Sequence, residues 1–312
     1  MKNFKLFDEQ GSWYKANFHA HSTVSDGLLH REDMITAYRQ QGYSVLMFSE
    51  HERYTDTTEY DSEDFLIYPG IERSIMLPDK ETFHIQGLYD ADAPHHYKDG
   101  QYIEVPEYHS LQDVQQIIDE LKENGNMVMI NHPAWSFNTL PHLHELQGYD
   151  FLELYNHNCH VETDLGNSES YYDEILKERW IGALATDDNH NSHRYEDGIH
   201  MWDSFGGFVM LQADELSRES ICTALKKGCY YASNGPQIHQ IEVCDGSVHV
   251  QCSPCASIVF KAWPRRGYRC EQLGSSITKA SYTLRGGEQW IRIKCIDKEN
   301  QCAWSNAILI TE

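Results

Sequence analysis

Six short apolar runs in the first two thirds of the chain each carry a histidine or a carboxylate: 17-NFHAH, 45-VLMFSEH, 69-PGIE, 83-FHIQGLY, 130-INHP and 184-LATDDNH. Runs of this length and β-branched or aliphatic content read as strands. Between several of them lie amphipathic stretches, Arg31 to Gln41, Ser110 to Asn124, Ser168 to Arg179 and Asp214 to Lys227. Val114, Ile117, Ile118 and Leu121 recur at helical spacing, as do Met34, Ala37 and Tyr38. Ser110 with Asp113 three residues on forms an N-cap pattern, and Gly125 and Gly228 are helix stops. Strand and helix in alternation predict a parallel α/β fold, which seven or eight repeats would close into a barrel. Such folds collect their chemistry in the loops beyond the C-terminal ends of the strands. The 57-TTEYDSED stretch reads as a surface loop.

From about Gln237 the texture changes. Ile238 to Val243, Val248 to Cys252, Ile258 to Trp263, Trp290 to Cys295 and Ala307 to Ile310 are short, mostly alternating runs parted by Gly, Ser and Pro. They predict a small antiparallel β-sandwich. The expected organisation is therefore 1–235 as an α/β unit and 236–312 as the β-sandwich.

Charge narrows the possible partners. With 25 Lys plus Arg against 48 Asp plus Glu, the net charge is −23, and no basic cluster is present to release counterions from a nucleic-acid polymer. A small anionic substrate stays open, because bound cations would reverse the local field. No apolar run reaches the roughly 20 residues of a membrane span, and MKNFKLFDEQGSWYK lacks the apolar core of a signal peptide. The nine cysteines are an odd number in a chain with ample apolar residues, so reduced thiols and a cytoplasmic location are expected. Cys252-x-x-Cys255 lacks a partner pair, which argues against a zinc ribbon or thioredoxin reading.

The 18 histidines carry the functional signal. In an extended strand, His19 and His21 face the same side and can address one ion. Asp26 lies in the loop beyond, with Gly27 permitting a tight turn. His51, Glu72, His84, His132 and the Asp188-Asn189-His190 pair follow on successive runs. Singly, each is an ordinary loop residue. Nine such groups in one pocket would be untenable without cations to neutralise them.

The elements NFHAHSTVSDG, GYSVLMFSEH, YPGIE, FHIQGL, INHP and TDDNH, in this order over residues 17 to 235, resemble the PHP family of metallohydrolases (polymerase and histidinol phosphatase). The layout is similar to its stand-alone phosphoesterase and carbaryl-hydrolase-like members. The resemblance implies a distorted seven-stranded (β/α) barrel holding two or three divalent ions. His19, His21, Glu72 and Asp188 would hold one; Glu72 would bridge to a second completed by His84 and His132; Asp26, His51 and His190 would hold the third. Two positions depart from the family pattern, Glu50 in place of Asp before His51 and Asn189 in place of a small residue, and neither is a ligand position. Nitrogen and oxygen donors without thiolates suit Zn, Mn or Fe. A hydroxide bridging two such ions would be the nucleophile.

For the substrate, Arg53, Arg73 and Arg194 each lie near a proposed ligand and could fork onto a phosphate, and His157 could protonate a leaving group. Trp135, Tyr155, Trp202 and Tyr231 are expected to pack or to shape the pocket, and His193, His95-His96 and His142-x-His144 to lie at the surface. The expected activity is a metal-dependent phosphoesterase acting on a small phosphorylated metabolite. A carbamate, amide or ester hydrolase using the same metals is the alternative. A non-enzymatic module that binds through its β-sandwich is disfavoured by the intact ligand set.

Overall fold

The computed structural model describes residues 3–8, 11–105, 107, 110–196 and 198–310, apart from the side chains of Arg194 and Tyr195. It is a mixed α/β structure in which sheets dominate. Six helices are seen among the described residues: Arg31–Gln40, Leu111–Glu123, Leu140–Glu145, His157–Thr163, Glu169–Ile175 and Arg218–Lys227. None is long and apolar enough to cross a membrane. The second buries Val114, Ile117, Ile118 and Leu121, the stripe its spacing foretold. The Asp113 carboxylate accepts from the Ser110 amide at 2.8 Å and its hydroxyl at 2.9 Å, anchoring the first turn. The last helix, Arg218–Lys227, is closed by Gly228 at φ +68°, a left-handed conformation that a side chain would strain.

A five-stranded sheet runs Gly70–Met76, Thr82–Tyr89, Asn126–Ile130, Phe151–Asn156 and Gly182–Thr186 in spatial order. Its last three strands pair in parallel, whereas the first pairs antiparallel with the second and the second antiparallel with the third. The expected all-parallel arrangement is corrected here. Only the residues between Met76 and Thr82 join the first two strands, far too few for a crossover helix, so they form a hairpin. Among the described residues no continuous ladder closes the expected distorted seven-stranded barrel. Ser12–Asn17, Val45–Leu46 and Leu66–Ile67 belong instead to a separate ten-stranded sheet. The two sheets touch through isolated parallel bridges, Ala20 with Asn189 and His51 with Glu72. Both bridges contain or adjoin the histidines and carboxylates singled out above.

The boundary at 235/236 falls between Tyr230–Ser233 and Ile238–Cys244, yet hydrogen bonding crosses it. Cys302–Ser305 pairs with Tyr230–Ser233, which pairs with Phe208–Ala213, which pairs with Ser12–Asn17. Near the start of the chain, Phe4–Lys5 joins the four-stranded sheet of the C-terminal part. Ionic contacts also cross. Arg292, fully buried, donates to Glu169 (2.8 Å) and Asp173 (2.7 Å), and Lys294 donates to Glu169 (2.6 Å). Lys261 also pairs with Glu169.

Candidate metal centre

The nine residues converge. Glu72, fully buried in the hairpin strand, directs its two oxygens to different imidazoles. Its Oε1 lies 3.2 Å from both His19 Nε2 and His84 Nδ1; its Oε2 lies 3.2 Å from His21 Nε2 and 3.4 Å from His51 Nδ1. Asp188 Oδ1 sits 2.9 Å from His19 Nε2 and 3.2 Å from His21 Nε2. Asp26 Oδ2 faces His51 at 3.5 Å and His190 at 3.6 Å. Donor atoms fall into three sets, each within 4.8 Å: His19, His21, Glu72, Asp188; Glu72, His84, His132; and His21, Asp26, His51, His190.

Local backbone explains how they meet. The strand Ser12–Asn17 ends before His19, so the two histidines lie on the extended segment around the Ala20 bridge rather than within a strand. A β-carbon on Gly27 would stand 2.3 Å from the His21 carbonyl oxygen, so only glycine lets the Asp26 loop fold so close. His132 (φ +26°) and Asp188 (φ +55°) occupy the left-handed region, and so does Glu52 (φ +54°) beside His51. Non-glycine residues persist there only when their surroundings dictate it.

Electrostatics follow from burial and proximity. Burial pulls the proton affinity of His19 down, but Asp188, Glu72 and Glu153 outweigh it and hold it well above that of a free imidazole. The same balance, through Asp188 and Glu72, raises His21 to about 10. Burial would protonate Glu72, yet His19, His84 and His51 hold it well below the usual carboxylate range. Burial, with His84 beside it, drops His132 to about 4. Positive charge is thus drawn into this pocket by its carboxylates, as protons when nothing else supplies it. His19 Nε2, His21 Nε2, His51 Nδ1 and Glu72 Oε2 are buried and take part in no hydrogen bond. Convergent, orphaned N and O donors of this kind fit divalent cations.

Several supporting residues escaped the sequence reading. Glu153, fully buried in Phe151–Asn156, accepts from His19 Nδ1 (2.8 Å), the His132 amide (2.7 Å) and Asn156 Nδ2 (2.9 Å), and also pairs with Thr186. Asn131 Nδ2 donates to Glu72 Oε1 at 2.6 Å. Asp203 accepts the amides of His190 (2.9 Å) and Asn191 (2.8 Å). A carboxylate inside the apolar run FLELYN was the same signal that marked Glu72, and it pointed to Glu153. Of the two departures, Glu50 reaches the Ser22 and Ser25 hydroxyls and Arg31, while Asn189 Oδ1 accepts from Tyr38 at 2.8 Å.

The candidate substrate residues fare differently. Arg73 alternates away from Glu72 along the strand and is buried on the other side, bound to Glu52, Glu120 (3.2 Å) and the Glu104 carbonyl (3.1 Å). The expectation that it grips substrate is corrected: it is a structural cation. Arg53 is partly exposed, donates to the Gly100 carbonyl at 2.9 Å and lies over Tyr102. Arg194 starts the short strand Arg194–Tyr195, and its side chain lies outside the described residues. His157 offers its ring nitrogens to Tyr155 Oη (3.2 Å) and the Trp202 carbonyl (3.3 Å) and packs on Gly206. Trp135 presses against His132 and His84 with ring centroids 5.0 and 5.9 Å apart. Trp202 packs on His193, Tyr155 on Trp304, and Tyr231 on Phe7 and Trp13. His95 stacks on Tyr89, His142 pairs with Glu81 and His144 with Glu178, all apart from the centre.

No protein-family model matches the sequence, and no curated protein is significantly similar to it. Solved structures do match. A two-domain protein from Bacteroides vulgatus, containing a predicted PHP-like metal-dependent phosphoesterase, is 14% identical with a TM-score of 0.51, covering 98% of this chain and 97% of its own. A putative metal-dependent phosphoesterase from Bifidobacterium adolescentis is 15% identical with a TM-score of 0.38, over 55% of this chain and 86% of its own. An amidohydrolase from Chromobacterium violaceum, with sulfate bound and no metal, is 15% identical with a TM-score of 0.41, over 59% and 90%. The likeness to the first is one of fold and spans both parts of the chain.

Proposed function

We propose that this chain is a metal-dependent hydrolase, and specifically a phosphoesterase acting on a small phosphorylated metabolite. The observation that carries the reading is Glu72: one buried carboxylate whose two oxygens face four imidazoles from three segments of the chain. In this reading His19, His21, Glu72 and Asp188 hold one divalent ion, and Glu72, His84 and His132 a second. Asp26, His51 and His190, the outermost group, hold a third. Ions bound there would supply Lewis acidity toward a substrate oxygen and a lowered pKa for water.

The chain's own residues do the rest. Glu153 keeps His19 in the tautomer that turns Nε2 inward, and Asn131 fixes the rotation of Glu72. Arg53, two residues past His51, would hold a substrate anion, with Arg194 as a second candidate. His157 has the weaker claim as a proton donor, since both its nitrogens are engaged. Residues 1–235 carry the chemistry and 236–312 brace it through the Glu169–Arg292 contact. Nine free thiols suit a reducing compartment such as the cytoplasm.

Two observations favour hydrolysis of a carbamate, amide or carboxylic ester instead. Arg73 is withdrawn from the pocket, and Trp135 presents an apolar wall beside His84 and His132. Metal-loaded protein assayed with phosphate monoesters, phosphate diesters, carbamates and carboxylic esters decides between them. Turnover of a phosphate ester is expected. Turnover of carboxyl derivatives alone would favour the second reading, and none with any ester would overturn both.

A further inference from the structure

Outside the metal centre, a second convergence of ligating atoms lies in the C-terminal β-sandwich. Cys252 and Cys255, from Ser247–Cys255, meet Cys295, from Trp290–Ile296. All three sulfurs lie within 4.8 Å of one another, all three residues are buried, and Cys252 Sγ stands 3.9 Å from Cys255 Sγ. The sequence reading dismissed Cys252-x-x-Cys255 for want of a partner, and the fold supplies one forty residues downstream.

Buried cysteines often serve as small apolar fillers. The backbone here argues for more. Residues three apart in a regular strand point to opposite faces. Between Gln251 and Cys255 the pairing with Ile277–Thr283 slips register, and that irregularity brings both thiols to the same side. A filler requires no such redirection. The spacing is also that of ligands: with metal–thiolate bonds of about 2.3 Å, three sulfurs around one ion lie about 4 Å apart. Pro254, between the two cysteines, is exposed, so the cluster sits just below the surface.

We propose that Cys252, Cys255 and Cys295 form a three-coordinate thiolate site for a soft monovalent cation of the Cu(I) type, separate from the hydrolytic centre. Closed protein zinc sites take four ligands, whereas three sulfur donors gather here among the described residues. Thiolates select soft ions, and Cu(I) is stable with three of them. The site is independent of the hydrolytic reading, whose donors are all nitrogen and oxygen.

The test uses the full chain, reduced, stripped of metal and kept anaerobic, titrated with Cu(I) supplied as its acetonitrile complex. Sulfur-to-copper charge-transfer absorption should saturate at one ion per chain, with three sulfur neighbours in copper X-ray absorption and no loss to equimolar Zn(II). Cys295→Ser should weaken binding at least tenfold and cut the sulfur count, while Cys222→Ser, at a buried thiol elsewhere, should change neither. The wild-type titration needs no variant to fold. A nitrogen-only copper shell, absence of the charge-transfer band, or a Cys252–Cys255 disulfide in freshly isolated protein would each overturn the proposal.

Discussion

His19 Nδ1 lies 2.8 Å from Glu153 Oε1, and its other nitrogen, Nε2, lies 2.9 Å from Asp188 and 3.2 Å from Glu72. With Glu153 accepting from Nδ1, Nε2 would be left to present its lone pair to a bound ion. Glu153 also receives the His132 amide, and so one carboxylate orients two segments of the centre.

Glu153→Gln should therefore weaken metal binding about 10- to 100-fold, the usual effect of removing a carboxylate behind a ligating histidine. Chelator competition at fixed pH, with circular dichroism to show that the variant is folded, measures this. Unchanged affinity would refute the orienting role.

Glu72→Ala removes oxygens shared between donor groups. Metal content should fall by at least one ion per chain, and hydrolysis by about 10³-fold, as when a main source of transition-state charge stabilisation is lost. Elemental analysis alongside steady-state kinetics tests both; full metal content with full turnover would remove the bridge.

Arg73 and Arg53 should separate cleanly. Arg73→Met leaves the Glu52 carboxylate buried without its cation and should cost about 3 kcal/mol in urea unfolding, with KM of the folded enzyme unchanged. Arg53→Ala should raise KM about tenfold with stability nearly unaltered, the loss of one charge-assisted contact. The reverse pattern would exchange their roles.

Glu169 links stability to pH. Burial raises its proton affinity, but Arg292, Lys294 and Lys261 prevail and hold it far below the ordinary value. The unfolded chain therefore takes up the proton first as pH falls. This stabilisation is complete above the ordinary carboxylate pKa of about 4.3 and drains away as pH drops through it. On metal-stripped protein, wild type should exceed Glu169→Gln by about 3 kcal/mol at neutral pH, the gap closing as the pH is lowered. A gap that stays constant in urea titrations on both sides of that pKa would sink the assignment.

What was legible in the sequence was mostly local. The Leu111–Glu123 stripe, its Asp113 cap and the Gly228 stop depend on neighbours within a few residues. The hairpin of Gly70–Met76 and Thr82–Tyr89 was misread as parallel although the short 77–81 link was visible; strand content weighed more than loop length. Arg73 was misassigned because proximity to Glu72 along the chain hides the alternation that sends it to the opposite face. The roles of Glu153 and Cys295 depend on distant partners, His19 for the one and Cys252 with Cys255 for the other, which chain order does not bring together.

The chain's order of residues was enough to name the nine convergent groups, since apolar runs interrupted by histidine and carboxylate are improbable unless those side chains are destined to meet charge. Only the tertiary structure decided which carboxylate faces four imidazoles, which arginine is buried as a strut, and which thiols share a point. Those outcomes are set by strand direction, register and the closing of long loops, and such contacts are stabilised by surface buried across the whole fold, which no local pattern encodes.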